Sequence, residues 1–224
     1  MLSKLSIKQK LILIMSIPLA IVILLAAKLT YDSYLNTQGL KKLEKVVVLS
    51  TKIGALVHET QKERGMTAGF LGSAGQKFKT ELPHQREETS KRAEELLGFL
   101  SHFDKAAYGQ EFNENLSSAL EELKKIADIR NSVSNLNIPA GKAIGYYTHT
   151  NTLLLNITGT IAKLSNSARV SQDIVAYMNF LLSKERAGIE RAVGTNTFAQ
   201  DSFGTGMKEK FLSLIAQHDA YLDA

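Results

Sequence analysis

Two short blocks of this chain carry residue types suited to binding an anion: Gln61-Lys62-Glu63-Arg64-Gly65 and, about 120 residues later, Lys184-Glu185-Arg186-Ala187-Gly188-Ile189-Glu190-Arg191. A planar guanidinium offers two parallel N–H donors and so matches a small planar oxyanion, either a carboxylate or an inorganic ion. Ile53, Val57, Thr60, Arg64, Thr67 and Leu71 follow alternating steps of four and three, one seam of a helix, which aims Arg64 inward. Val175, Asn179, Leu182, Arg186, Ile189 and Val193 have the same spacing and predict that Arg186 lies on an inward seam. An unpartnered buried guanidinium is too costly to keep, so its partner is either a glutamate of the same fold or an anion from outside. Gly65, Ala68, Gly69 and Gly72 give the first segment a small-residue face, and Gly188 interrupts the second. Glycine at such places lets helices approach or leaves a gap for a small ligand.

Other chemistries find little support. The chain has no cysteine, which excludes disulfides, thiolate metal sites and a cysteine nucleophile. Glu81-Leu82-Pro83-His84 has the spacing of a carboxylate metal motif, but it holds a proline and has no second copy. His58-Glu59 lacks the second histidine of a zinc protease motif, and the five histidines are scattered. No phosphate-binding glycine loop or serine elbow occurs. The sequence therefore predicts no catalytic residues, no metal, no cofactor and no enzyme. Its net charge of +5 is modest, and basic residues alternate with acidic ones, which argues against nucleic acid as a partner.

The elements that must position these blocks are helices. Only three prolines occur in 224 residues, hydrophobic residues make up 44%, and no strand-like alternation of useful length is present, so an all-α fold is expected. Residues 11–27 carry no charge and would span roughly 26 Å as a helix, close to a bilayer core. Lys4, Lys8 and Lys10 precede this run and Lys28 stands nearly alone after it, so the amino terminus is expected in the cytoplasm. The expected organisation is a cytoplasmic start over 1–10, a transmembrane helix over 11–29, and an extracytoplasmic helical domain over 30–224. Helices are expected from Thr30 to about Leu71, from near Pro83 to about Phe103, from about Glu111 to Val133, around Leu154 to Ala168, from about Ser171 to Val193, and from Met207 onward. The economical architecture is an elongated antiparallel bundle on one membrane anchor. The last helix has no cap, so the domain is expected to continue past residue 224.

Gln61-Lys62-Glu63-Arg64-Gly65 with Ala68-Gly69-Phe70-Leu71-Gly72, then Glu81-Leu82 and Gln85-Arg86, resembles the opening of the NIT family, the nitrate- and nitrite-sensing domain of bacterial receptors. The similarity continues through Tyr147, Asn151, the second Glu-Arg block and Phe198-Ala199, covering roughly residues 45–222. The resemblance implies two stacked helical bundles sharing long helices, a nitrate or nitrite ligand, and a separate signalling output. It also implies that arginines of the two blocks hold the anion: Arg64 in the first, Arg186 and Arg191 in the second. Gln61, Glu63, Gly65, Glu185, Gly188 and Glu190 are the expected supporting residues. Arg186 and Arg191 are five residues apart, about 140° around a helix, so they cannot face one pocket equally. The expected setting is the bacterial inner membrane, with the sensor domain periplasmic. The expected partners are the lipid bilayer, a second copy of the chain in a homodimer, and cytoplasmic signalling proteins reached through a downstream region, a chemotaxis receptor being the first expectation. The competing account is a membrane-tethered helical interaction module whose arginines are locked into internal pairs with glutamates.

Overall fold

The computed structural model describes residues 6–162 and 168–223, and the chain divides after Lys45 into two compact units. The described residues are helical with short connections: α1 (Ile7–Gly72), α2 (Glu81–Ser101), a 3₁₀ turn (Lys105–Tyr108), α3 (Gln110–Lys124), α4 (Ile126–Ser134), α5 (Ala140–Ala162), α6 (Ala168–Gln200) and α7 (Met207–Leu222).

In the first unit, α1 carries the apolar run. Leu11, Ile12, Ile14, Met15, Ile17, Leu19 and Ile21 to Leu25 are all exposed, and the helix is long and apolar enough to cross a membrane. Pro18 lies inside it. Proline removes one backbone donor, a cost that membrane helices tolerate better than soluble ones.

In the second unit, α1 is covered over most of its circumference, with Val47, Val48, Thr51 and His58 left exposed. Ile53, Leu56, Val57, Thr60, Gln61, Glu63, Arg64, Thr67 and Ala68 are each less than 5% exposed, far more than one amphipathic stripe. Contacts fix the helix directions. Gln85 on α2 bonds the Glu59 side chain, while Lys52 lies over the Phe99 ring at 5.9 Å, so α1 and α2 run antiparallel. Thr60 meets Asn151 and Arg64 meets Thr148, so α5 is also antiparallel to α1. Gly54 lies against Tyr177, Gly188 against Arg64, and Gly69 against Thr195, so α6 runs parallel to α1. The two Glu-Arg blocks are thereby aligned in the same direction on adjacent helices.

Connections follow local chemistry. Pro83 is the third residue of α2, where the backbone N–H has no helical partner to lose. Pro139 accepts the N–H groups of Lys142 and Ala143 and so caps α5. Phe99, Phe103, Tyr108 and Phe112 form an aromatic cluster that closes the α2–α3 corner, with ring centroids 4.8–5.9 Å apart.

Three expectations are corrected. The single helix expected over 111–133 is broken at Lys125 into α3 and α4, although no glycine or proline stands there. The α6 helix does not stop at Val193 but runs to Gln200, because Gly194 packs under Phe211 and Thr195 against α1. Ala168, expected to close the fourth helix, belongs to α6, and Leu164 lies outside the described residues.

Candidate functional site

Glu63 and Arg64 are adjacent on α1, both fully buried, and they point to different neighbours. Successive helical residues diverge by about 100°, so one dipeptide serves two clusters.

The Arg64 cluster joins α1, α5 and α6. Arg64 Nη1 donates to Glu185 Oε1 at 2.5 Å and Nη2 donates to Oε2 at 3.3 Å. Nη1 also donates to Thr148 Oγ1 at 2.9 Å. Gln61 Nε2 donates to Glu185 Oε2 at 2.7 Å, and Asn151 Nδ2 donates to the same oxygen at 3.2 Å. Thr60 Oγ1 donates to Asn151 Oδ1 at 2.5 Å, which turns the amide nitrogen toward the carboxylate. Gly188 makes room for the pair, since a Cβ there would stand 2.7 Å from Arg64 Nη2.

The Glu63 cluster joins α1, α2, α4 and α5. Arg130 Nε and Nη2 donate to the two oxygens of Glu63 at 2.7 and 2.8 Å, a bidentate pair. Tyr147 Oη donates to Glu63 Oε1 at 2.7 Å. Arg86 adds a second cation, with Nε 3.9 Å from Glu63 Oε1, Nη1 on Ser134 Oγ and Nη2 on the Arg130 carbonyl. Its Nε is buried without a hydrogen-bond partner. Burial pushes the Tyr147 phenol well above its ordinary pKa, and the Glu63 charge adds to this. Burial lowers the Arg86 pKa; it also weighs against the Arg130 charge, but there the bonds to Glu63 outweigh it and the Arg130 pKa is raised.

The second block is divided by the fold. Glu185 is 2% exposed and holds Arg64, whereas Arg186 is half-buried and faces α7, its guanidinium over the Tyr221 ring at 5.7 Å. The expected seam through Arg186 is therefore not the one facing α1. Leu181, Glu185, Gly188 and Ala192 make that seam, while Ile189 and Val193 pack with Leu214. Two adjacent faces of α6 are both covered, and spacing alone gives no reason to prefer one. Arg191 is exposed, and neither it nor Arg186 forms an ion pair among the described residues. On the same side, His58 is held below its ordinary pKa by burial and by Lys184, with Lys62 and Arg191 adding and Glu59 opposing. Glu190 is half-buried, and a Cβ added at Gly65 would meet nothing within 4 Å.

Arg130, Thr148 and Ser90, whose Oγ accepts from Arg130 Nη1 at 2.8 Å, complete these clusters without having been expected, while Thr60 was expected only to face inward. Arg130 falls within the stretch expected to be one unbroken helix, where no motif singles it out. Tyr147 and Asn151 did carry a signal, being four residues apart on one face of α5.

This geometry defines a class: a helical bundle whose central helix buries an adjacent glutamate and arginine, each matched by charges from other helices. The chain matches the family described as nitrate and nitrite sensing over residues 55–224, and it belongs to that NIT family. It is 28% identical over 183 residues to the nitrate regulatory protein of Klebsiella oxytoca, covering 81% of this chain and 46% of that protein. Its fold is similar to that of the NasR transcription antiterminator, with a TM-score of 0.81, 25% identity, and coverage of 89% of this chain and 54% of the other. The chain thus spans about half the length of these relatives, which are regulators and not chemotaxis receptors.

Proposed function

We propose that this chain is the sensing region of a bacterial membrane receptor that binds nitrate or nitrite at Arg64, with Arg191 and Arg186 as the arginines of the second block. The observation that carries the reading is the convergence of Arg64, Gln61 and Asn151 on one buried carboxylate of the second block, a donor set matched to a small planar anion. Gly188 makes room for the Arg64 guanidinium, Gln61 donates to the same carboxylate, Glu63 anchors α1 beside it, and Gly65 and Glu190 lie nearby in sequence. Anion binding shifts α1 against α6, and this requires the ion to bind one helix arrangement more tightly than the other. No catalytic step is involved.

The apolar part of α1 supports an inner-membrane anchor over 11–29 with residues 30–224 periplasmic. Within the second unit the helices form two stacked bundles, a reading supported by separate clusters around Phe103 and around Ile189. The proposed receptor is a homodimer with a chemotaxis-type output, a reading supported by an apolar helix that runs directly into a helical sensor.

The test is calorimetric titration of the full chain in detergent with nitrate, nitrite, sulfate and chloride, repeated with Arg64→Ala, Arg186→Ala and Arg191→Ala. Nitrate or nitrite binding that disappears with Arg64→Ala is the expected result. A folded chain that binds none of these ions favours the second reading, a tethered helical interaction module, for which the pairing of Arg64 with Glu185 is the supporting observation.

A further inference from the structure

The group that occupies the Arg64 donors has an informative shape. Beyond Cβ, a glutamate side chain consists of Cγ, Cδ and two oxygens, and Cδ is trigonal and planar. Nitrate has the same outline, one trigonal centre with three substituents in a plane. At Glu185 the oxygens are held by Arg64 Nη1 on Oε1 and by Arg64 Nη2, Gln61 Nε2 and Asn151 Nδ2 on Oε2. The residue is 2% exposed, so these donors have no bulk water to turn to.

We propose that the Glu185 carboxylate is a built-in mimic of the anion and its competitor, and that Gln61 and Asn151 are further ligand-binding residues. The inference rests on the reading of Arg64 as the anion residue and deepens it. Two oxygens of nitrate take the donors now held by Oε1 and Oε2, and the third lies where Cγ stands, once the Glu185 side chain has swung away. One monoanion replaces another at Arg64, which keeps the guanidinium matched, while the displaced Glu185 carboxylate turns out to water. Nitrite and formate fill the two oxygen positions and leave the third empty. Sulfate brings a fourth oxygen and a second charge into a space built around one planar carboxylate. Affinity is then set by a competition in which the incumbent is tethered to α6, and displacing it frees α6 from α1.

Glu185→Ala tests this directly, because it deletes a group of nitrate's outline and leaves every donor in place. The full chain in detergent is titrated with sodium nitrate, nitrite, formate and sulfate at constant ionic strength, with calorimetry and thermal midpoint as readouts. The variant is expected to bind nitrate at least about tenfold more tightly than the parent, since no internal group competes. Its midpoint should rise most with nitrate, less with formate and not with sulfate. Adding Gln61→Ala or Asn151→Ala should weaken that binding. A folded Glu185→Ala that binds nitrate no more tightly than the parent, or that responds equally to sulfate, overturns the inference. Should that variant fail to fold, Glu185→Gln keeps the shape and turns an amide N–H toward donors, so it too should bind nitrate more tightly; unchanged or weaker binding overturns the inference. If the parent binds nitrate through Arg64 while neither variant gains, only the competitor idea fails. If parent and folded variants all bind no nitrate, the reading of Arg64 as the anion residue fails with it.

Discussion

Glu63 and Glu185 are both buried carboxylates that hold arginines, yet they sit in opposite charge environments. Glu185 faces one guanidinium and two neutral amides, a balance of one charge against one. Glu63 faces two guanidiniums and a phenol, so its cluster carries excess positive charge within the bundle. In a one-to-one pair an incoming monoanion keeps the arginine matched once the displaced carboxylate has turned to water, whereas removing Glu63 strands two cations. On the proposed function, exchange belongs to the α6 side of α1 and rigid clamping to the α2–α4 side.

The largest effect is expected of Glu63→Ala. It should cost about 3–5 kcal/mol in chemical denaturation, because it leaves buried charge unpaired. Nitrate should not restore the loss, and recovery by nitrate equal to that at Glu185 would make the two sites equivalent. Tyr147→Phe removes one hydrogen bond to a charged acceptor and should cost about 1.5–3 kcal/mol, with nitrate affinity little changed. A large loss of affinity there would show the clamp taking part in binding.

Gly188→Ala tests the other side. Helix propensity gains about 1 kcal/mol, offset by the crowding of Arg64, so stability should change little while calorimetry shows weaker nitrate binding. Gly65→Ala faces open space and should raise stability by about 1 kcal/mol. If it also abolishes binding, the ligand approaches along the Gly65 face and the Glu185 position is wrong.

The smallest effect is a pH dependence at His58. Its folded pKa lies below the ordinary 6.5, so the unfolded chain binds more protons between those values. Stability should therefore be complete above 6.5 and fall as pH drops through the folded pKa. Thermal midpoints of the parent and His58→Gln, compared across that window, check this; Lys184, Lys62, Arg191 and Glu59 are the charges facing it. A parent midpoint that rises on acidification contradicts the sign.

Much of the local architecture was legible in the chain. The seam of Ile53, Val57, Thr60, Arg64 and Thr67 is buried as its spacing requires, with Leu71 at its end half-buried, and the connections around Pro83, Pro139 and Met207 fall where turn chemistry puts them. The break at Lys125 was not legible, because Glu122 to Ala127 contains no breaker; it places Arg130 on Glu63 and Val133 against Leu82 and Ala143. The phase of α6 was equally hidden, since its two covered faces, one toward α1 and one toward α7, read alike in spacing.

By itself the sequence determined that the chain is helical, that Arg64 points inward, and that its partner must be an anion. These follow from the period of one helix and the cost of an unmatched buried charge. Only the tertiary structure decided that the partner is Glu185, that Glu63 belongs to Arg130, and that Arg186 turns to Tyr221. The angle of a side chain about its own helix is written in local spacing, but the group it meets depends on where a second helix lies, and that is settled by the packing of the whole bundle.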